Sequence, residues 1–93
     1  MPPSALTLHI LLALAPQDVT VPELARRIAE DAASTLLPRD GSLYKALARL
    51  EHEGYLCRVA GTRRYAITPR GRQLLQSEKI RLGRAVALLH ART

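Results

Sequence analysis

Two cationic segments in the second half of the chain hold the residues best suited to chemistry. Ser42, Lys45 and Arg49 follow one another at intervals of three and four residues, which places them on one face of a helix. Residues 61–64 read Gly-Thr-Arg-Arg, a compact and doubly cationic turn. Ammonium and guanidinium groups pair with phosphate oxygens, and the guanidinium fork also matches a guanine edge. The segments therefore predict contact with a polyanion, and a merely soluble basic surface is the alternative.

The positive charge is concentrated in the same half of the chain. Of 93 residues, 14 are Lys or Arg and 8 are Asp or Glu, a net charge of +6. Residues 1–38 carry two cations and four anions, whereas residues 39–93 carry twelve cations and four anions. If the polyanion is a nucleic acid, two copies of the chain could each place four or five of these cations on phosphates. A plot of log binding constant against log salt concentration would then have a slope of about −7 to −9.

Length and composition restrict the architecture to one small helical domain. Hydrophobic residues make up 47% of the chain and aromatic residues only 3%, so the core must be aliphatic, which favours helices.

The single cysteine, Cys57, excludes a disulfide framework, and we expect it in the core. His9, His52 and His90 lack ligand spacing, so no metal and no cofactor are expected. The longest apolar stretch, residues 5–15, is too short to cross a membrane.

The first predicted helix is apolar on nearly every side. One stripe contains Leu6, Ile10 and Leu14, and a second contains Leu8 and Leu12. A domain this small cannot enclose such a helix, so we expect one face to meet a partner subunit, and we assign Leu6 and Ile10 to that contact. A helix with a single core-facing side is the alternative.

Two further helices follow. Thr20-Val21-Pro22-Glu23 reads as a capping box that opens a helix to about Ala33. A connector over residues 34–39 ends at Leu37-Pro38, and Asp40 or Ser42 caps the third helix. The periodicity predicts that Leu43, Leu47 and Leu50 form the buried stripe of the third helix, with Tyr44 and Ala46 alongside.

The remainder predicts a hairpin and a long helix. Residues 55–59 and 63–67 form two short strands, and Thr68-Pro69 opens a helix to about Ala91. Gly71 and Gly83 inside that helix indicate close packing. The helix outreaches a compact body, so its far half needs a second copy to cover an apolar set: Leu82, Val86 and Leu89.

The order of elements predicts a mostly α fold with a small β hairpin. Helix, helix, helix, hairpin and helix is the order of a winged helix-turn-helix, here with an added C-terminal dimerisation helix. We assign residues 1–75 to the DNA-binding domain and residues 76–93 to the dimerisation helix, which continues the last helix of the domain. The third helix fits a major groove, and the hairpin fits the adjacent backbone or minor groove.

Two motifs in this region are similar to those of a known family. Residues 41–56 read Gly-Ser-Leu-Tyr-Lys-Ala-Leu-Ala-Arg-Leu-Glu-His-Glu-Gly-Tyr-Leu, and residues 63–71 read Arg-Arg-Tyr-Ala-Ile-Thr-Pro-Arg-Gly. This pair of motifs resembles the signature of PadR-like winged-helix transcriptional regulators, over about residues 20–75. The family often has proline where this chain has Lys45, and its Gly-Tyr pair before the second helix is absent here. Because that Gly-Tyr pair is absent, the resemblance does not imply an effector pocket before the second helix, and the sequence identifies no effector.

The resemblance implies a prokaryotic DNA-binding repressor that dimerises through its C-terminal helix. It implies that Ser42, Tyr44 and Lys45 lie at the DNA-facing start of the recognition helix, and that Arg63 and Arg64 lie on the wing. For two positions, the residue types and their spacing allow a second interpretation beside the one that the resemblance implies. Tyr44 either contacts DNA or belongs to the core, and Arg49 either contacts a phosphate or pairs with Glu53.

We therefore predict a homodimeric, sequence-specific regulator of transcription that binds a palindromic double-stranded operator as a repressor, in the cytoplasm at the nucleoid. The alternative is a winged-helix module that binds proteins through an exposed apolar third helix. Paired carboxylates, a Ser-His-Asp order and a Gly-rich phosphate loop are all missing from the sequence, so we do not expect an enzyme.

Overall fold

The computed structural model describes residues 3–31 and 41–91. The predicted connector over residues 34–39, with Leu37-Pro38, and the predicted cap at Asp40 lie outside these residues. Seven elements follow one another along the chain. They are α1 (Ala5–Leu14), β1 (Val19–Thr20), α2 (Val21–Asp31), α3 (Ser42–His52), β2 (Leu56–Arg58), β3 (Arg64–Ile67) and α4 (Pro69–Ala91).

Hydroxyl groups determine where three of the helices begin. The Thr7 N–H donates to Ser4 Oγ over 3.2 Å, and the Gly71 N–H donates to Thr68 Oγ1 over 3.1 Å. At α2 the Glu23 N–H donates to Thr20 Oγ1 over 3.4 Å, while the Thr20 hydroxyl donates to Glu23 Oε1 over 3.2 Å. These bonds satisfy N–H groups that a first helical turn leaves unpaired, and they confirm the predicted capping pair at α2.

The third helix begins differently from the prediction. Its N-cap is Gly41, at φ 82°, without a side-chain hydrogen bond, and Ser42 is the first residue inside the helix. A left-handed backbone at this position favours glycine, which has no Cβ to clash. The prediction that Ser42 caps α3 is therefore wrong, and its hydroxyl is exposed on the helix surface.

The sheet has three antiparallel strands in the order β1-β3-β2. The predicted hairpin is confirmed, with Leu56 opposite Ile67 and Arg58 opposite Tyr65. The third strand was not predicted, because β1 has only two residues and no alternating pattern can be read from two. It pairs Val19 with Tyr65 and Thr20 with Arg64, and so joins the hairpin to the start of α2.

The core is aliphatic, as the composition predicts. Its largest fully buried side chains are Ile10, Leu11, Leu14, Val19, Leu24, Ile28, Leu47, Leu50 and Leu56. Tyr65, at 7% exposure, is the aromatic member of this cluster. Cys57 is exposed, so its predicted place in the core is wrong. Successive side chains of a strand point to opposite faces, and Leu56 occupies the inner one.

The two apolar stripes of α1 are exchanged relative to the prediction. Ile10 is fully buried in the core of its own chain, and Leu6 packs against that core. Ile10 therefore offers no surface to a partner, and its assignment to a dimer contact is wrong. Leu12, at 55% exposure, and half-buried Leu8 form the outer stripe. Both stripes are equally apolar, so periodicity alone does not tell which one faces the core.

The last helix extends beyond the body of the protein. Gly71 and Glu78 are its buried residues, and every residue from 79 to 91 is exposed. The molecule measures 51 × 28 × 23 Å, with a radius of gyration of 14.2 Å. A compact chain of this length has a radius of about 12 Å, so α4 produces an elongated shape.

The two glycines of α4 have different surroundings. A Cβ on Gly71 would lie 2.2 Å from the Tyr55 carbonyl oxygen and 2.7 Å from Ile67 Cγ1. Close packing is therefore confirmed at Gly71, where α4 crosses the hairpin. A Cβ on Gly83 would meet nothing within 4 Å, so the prediction of close packing there is wrong for the single chain.

Candidate nucleic-acid interface

The third helix has one buried side and one polar, exposed side. Leu43, Leu47 and Leu50 face the core. The exposed positions are Ser42, Tyr44, Lys45, Ala48, Arg49 and His52. Tyr44 is 62% exposed, so it does not belong beside the buried stripe as the periodicity suggested. Most of this side is small or cationic, which permits close approach to an anionic surface.

The start of α3 and the hairpin border a common groove. This open groove has a volume of about 440 Å³. Its lining residues are Thr20, Val21, Pro22, Tyr44, Arg58, Thr62, Arg63 and Tyr65. The arrangement brings together the start of α2, the start of α3 and the hairpin tip, which are far apart in the sequence. We call this surface the recognition groove.

The hairpin tip is organised by Thr62. The Thr62 hydroxyl donates to the Val59 carbonyl over 2.8 Å and accepts the Arg64 N–H over 3.0 Å. Gly61, at φ 75°, provides the left-handed residue that the turn requires. This bonding presents Arg63 to solvent, and no other described residue pairs with its guanidinium.

The two wing arginines have different surroundings. Arg64 donates from Nη1 to the Asp18 carbonyl over 3.0 Å, and its Nη2 lies 3.8 Å from Glu23 Oε1. Arg64 is half-buried and does not line the recognition groove, whereas Arg63 does. The adjacent arginines were predicted to act alike, and the structure separates them.

Two arginines, Arg49 in α3 and Arg58 in the hairpin, also have partners within the chain. Arg49 donates to Thr7 Oγ1 over 3.0 Å and lies 3.6 Å from Glu53 Oε1. Its pairing with Glu53 is one of the two interpretations that the sequence left open. Arg58 Nε lies 3.5 Å from Glu51 Oε1, and its guanidinium stacks over the Tyr65 ring at 5.4 Å. Lys45 has no such partner among the residues that the structure describes.

Three other arginines bind carbonyl oxygens at the ends of helices, a role that sequence reasoning missed. Arg27 donates to Ala13 and Arg72 donates to Ala15, both over 3.1 Å, at the end of α1. Arg70 donates to Glu53 over 3.0 Å at the end of α3. Cations stabilise the negative end of a helix dipole. No spacing in the sequence marks these long-range contacts, so the charge count overstates the cations available to a ligand.

A second exposed groove lies between α1 and α4 and is mostly apolar. It has a volume of about 560 Å³ and is lined by Leu8, Leu12, Arg72, Leu75, Gln76, Glu78, Lys79 and Leu82. Glu78 is buried at its edge, where Arg81 donates to Glu78 Oε2 over 2.6 Å. That hydrogen bond and the carboxylate charge raise the pKa of Arg81. The large hydrophobic side chains that α4 exposes are Ile80, Leu82, Val86, Leu88 and Leu89.

Within residues 3–31 and 41–91, no three His, Cys, Asp or Glu side chains are grouped to hold a metal ion. The helices of the same residues include none that combines the length and the apolar character needed to span a bilayer.

Three helices, a small antiparallel sheet with a hairpin wing and a long C-terminal helix define a winged helix-turn-helix protein. The family model described as the transcriptional regulator PadR-like family matches residues 10–77. The chain therefore belongs to the PadR-like family, and its class is that of DNA-binding transcription regulators. This confirms the resemblance seen in the two sequence motifs.

Solved structures share the fold along almost the whole chain. A PadR family transcription regulator from Clostridium difficile is 23% identical, with a TM-score of 0.77 over 95% of this chain and 97% of that one. A transcriptional regulator from Clostridium thermocellum is 23% identical, with a TM-score of 0.75 over 92% and 87%. A conserved protein of unknown function, described as a potential transcriptional factor, is 31% identical, with a TM-score of 0.66 over 94% and 85%. No curated protein matches the chain.

Proposed function

We propose that the chain is a sequence-specific transcriptional repressor that binds a palindromic operator as a homodimer, in a prokaryotic cytoplasm at the nucleoid. One observation carries this proposal. Tyr44 at the start of α3 and Arg63 at the hairpin tip line the same groove. A helix and a hairpin that share one side of the protein can engage a major groove and the adjacent DNA backbone together.

The recognition helix enters the major groove by its first turn. Ser42, Tyr44 and Lys45 are all exposed there. Lys45 is the cation of this turn and reaches a base edge or a phosphate. Arg63 contacts the backbone beside the groove or enters a minor groove. Arg49 faces α1 and Glu53, so it steadies α3 and comes second to Lys45 as a DNA contact.

A second copy covers the apolar surface of α1 and α4. Leu82, Val86 and Leu89 are each about half or more exposed, and Leu12 lies beside Leu82 in the α1–α4 groove. An apolar surface of this kind is typical of an interface between subunits. With a twofold axis through the α4 helices, we expect the two α3 helices to lie about one DNA turn apart, and such a dimer binds a palindromic site.

Repression follows from occupancy of the promoter. Two α3 helices and two wings bound across an operator cover DNA that a polymerase needs. The alternative of a protein-binding module requires an exposed apolar α3, whereas hydroxyl, ammonium and guanidinium groups predominate on the exposed side here. Adding the chain to a transcription reaction on a template that carries its site should reduce the transcript; an increase would argue for activation.

The DNA-binding claim is tested by selecting genomic fragments on the purified chain and measuring their affinity at several salt concentrations. Arg63 of two subunits predicts a log–log slope of about −2, and Lys45 brings it to about −4 if it binds a phosphate and not a base. Both values are shallower than the slope of about −7 to −9 expected from the sequence, because several other arginines have partners within the chain. The slope steepens if those arginines are released to phosphates. Arg63→Ala should reduce the slope by about two units for the dimer. Arg26→Ala removes the same charge from the exposed side of α2, outside both the recognition groove and the α1–α4 surface, and serves as the matched control. A wild-type slope flatter than about −1 would contradict DNA binding.

A further inference from the structure

We infer that Arg64 is a positioning residue of the wing, and that Arg63 alone supplies the phosphate contact of the wing. The inference rests on the proposed DNA binding and refines it. The sequence places two equivalent arginines at the hairpin tip, and only their surroundings in the fold distinguish them.

Arg64 joins the wing to the corner between α1 and α2. Its guanidinium binds the Asp18 carbonyl at 3.0 Å and lies near the Glu23 carboxylate at 3.8 Å. The Thr20 hydroxyl donates to the same Glu23 oxygen, Oε1, over 3.2 Å. Thr20 is also the residue opposite Arg64 in the sheet. Side-chain and backbone contacts thus connect β3 to the start of α2 at the same point.

The wing needs such a connection because its sheet is small. β1 contributes only two residues to the ladder, and β2 contributes three. Strands this short depend on their neighbours for stability. The Arg64 contact fixes the angle between the hairpin and the α2–α3 unit, and therefore the place where Arg63 meets DNA.

A direct role of Arg64 on a phosphate conflicts with its surroundings. To reach a phosphate, its guanidinium would have to release a carbonyl and move from a carboxylate. The Glu23 carboxylate would repel the same phosphate. Arg63 has neither obstacle, since no other described residue pairs with it and it borders the recognition groove.

The test is a double-mutant cycle on DNA affinity with Arg63→Ala, Arg64→Ala and the double variant. The probe is a fluorescein-labelled duplex of about 30 base pairs taken from the selected fragments, long enough for two half-sites. If Arg64 acts through Arg63, each single variant binds about tenfold more weakly, and the double variant binds no more weakly than Arg63→Ala. Additive losses of about a hundredfold, with a further decrease of the salt slope in the double variant, would overturn the inference.

Two further variants distinguish positioning from contact by the sign of their effect. Glu23→Gln should weaken DNA binding if the carboxylate holds Arg64 in place, whereas stronger binding would indicate that it merely repels DNA. Arg64→Lys keeps the charge but not the planar fork, so it should bind as weakly as Arg64→Ala. Restoration of wild-type affinity by Lys would overturn the inference. Thermal unfolding of each variant checks that the fold is kept.

The outcomes separate this inference from the proposed function. If the wild-type chain binds the duplex and the cycle is additive, only the role of Arg64 is overturned. If the wild-type chain binds no duplex in dilute buffer, the proposed function is overturned, and the inference with it.

Discussion

The recognition groove and the α1–α4 groove are similar in size but differ in the side chains that border them. The first is bordered by Tyr44, Arg58 and Arg63, and the second by Leu8, Leu12, Leu75 and Leu82. The first surface combines guanidinium and hydroxyl groups with apolar atoms, so its exposure to water is less costly than that of the second. The second exposes large aliphatic side chains that gain free energy when covered. This difference supports our proposal that a polyanion binds at one groove and a second copy covers the other.

The cations of the protein also fall into two groups, those bound to other groups of the protein and those that project into solvent. Arg27, Arg70 and Arg72 bind helix-end carbonyls within the body. Lys45 and Arg63 project from the start of α3 and from the wing without partners among the described residues. A net charge of +6 therefore describes the chain, whereas we expect the affinity for DNA to depend mainly on Lys45 and Arg63.

The largest expected effect comes from a charge in the apolar groove. Leu82→Glu should prevent dimer formation and reduce DNA affinity about a hundredfold to a thousandfold, because two linked half-sites no longer bind together. Sedimentation and fluorescence anisotropy measure the two losses. Gln73→Glu adds the same charge to an exposed position of α4 outside the groove and should change neither. A dimeric Leu82→Glu chain would show that the groove faces solvent in the complex.

The next effect concerns the packing of α4 on the hairpin. Gly71→Ala should lower the free energy of unfolding by about 2–3 kcal/mol, because its Cβ would overlap the Tyr55 carbonyl oxygen. Denaturant titration measures the change. Wild-type stability in this variant would contradict the close contact between the body and α4.

A smaller effect is expected from the recognition helix. Lys45→Ala should reduce discrimination at one base pair by about 1–3 kcal/mol while most of the affinity is kept. Repeating the fragment selection with this variant shows whether the preferred sequence changes. A uniform loss across all sequences would instead assign Lys45 to a phosphate.

The smallest expected effect concerns Gly83, in the exposed distal half of α4. Gly83→Ala should raise the free energy of unfolding by up to about 1 kcal/mol, since alanine favours the helix and its Cβ would meet nothing within 4 Å. The same denaturant titration serves as the measurement. Destabilisation would mean that the second copy packs closely against Gly83.

Much of this fold could be predicted from short-range patterns. Capping at Thr20 and Thr68 and the aliphatic stripe of α3 depend on neighbours within a few residues, so the sequence displays them. The family motifs likewise placed the start of α3 and the wing. Contacts between distant residues left no such pattern. The two-residue strand β1 and the choice between the two stripes of α1 depend on tertiary packing. The different roles of Arg63 and Arg64 depend on Asp18, which lies 46 positions away from Arg64.

The most direct test of the two-surface account is the stoichiometry of the DNA complex. Sedimentation of the purified chain with a short selected duplex should show one duplex bound by two chains of 10.2 kDa each. The free chain at micromolar concentration should sediment at twice that mass. A monomer that leaves the duplex unbound in dilute buffer would contradict the account.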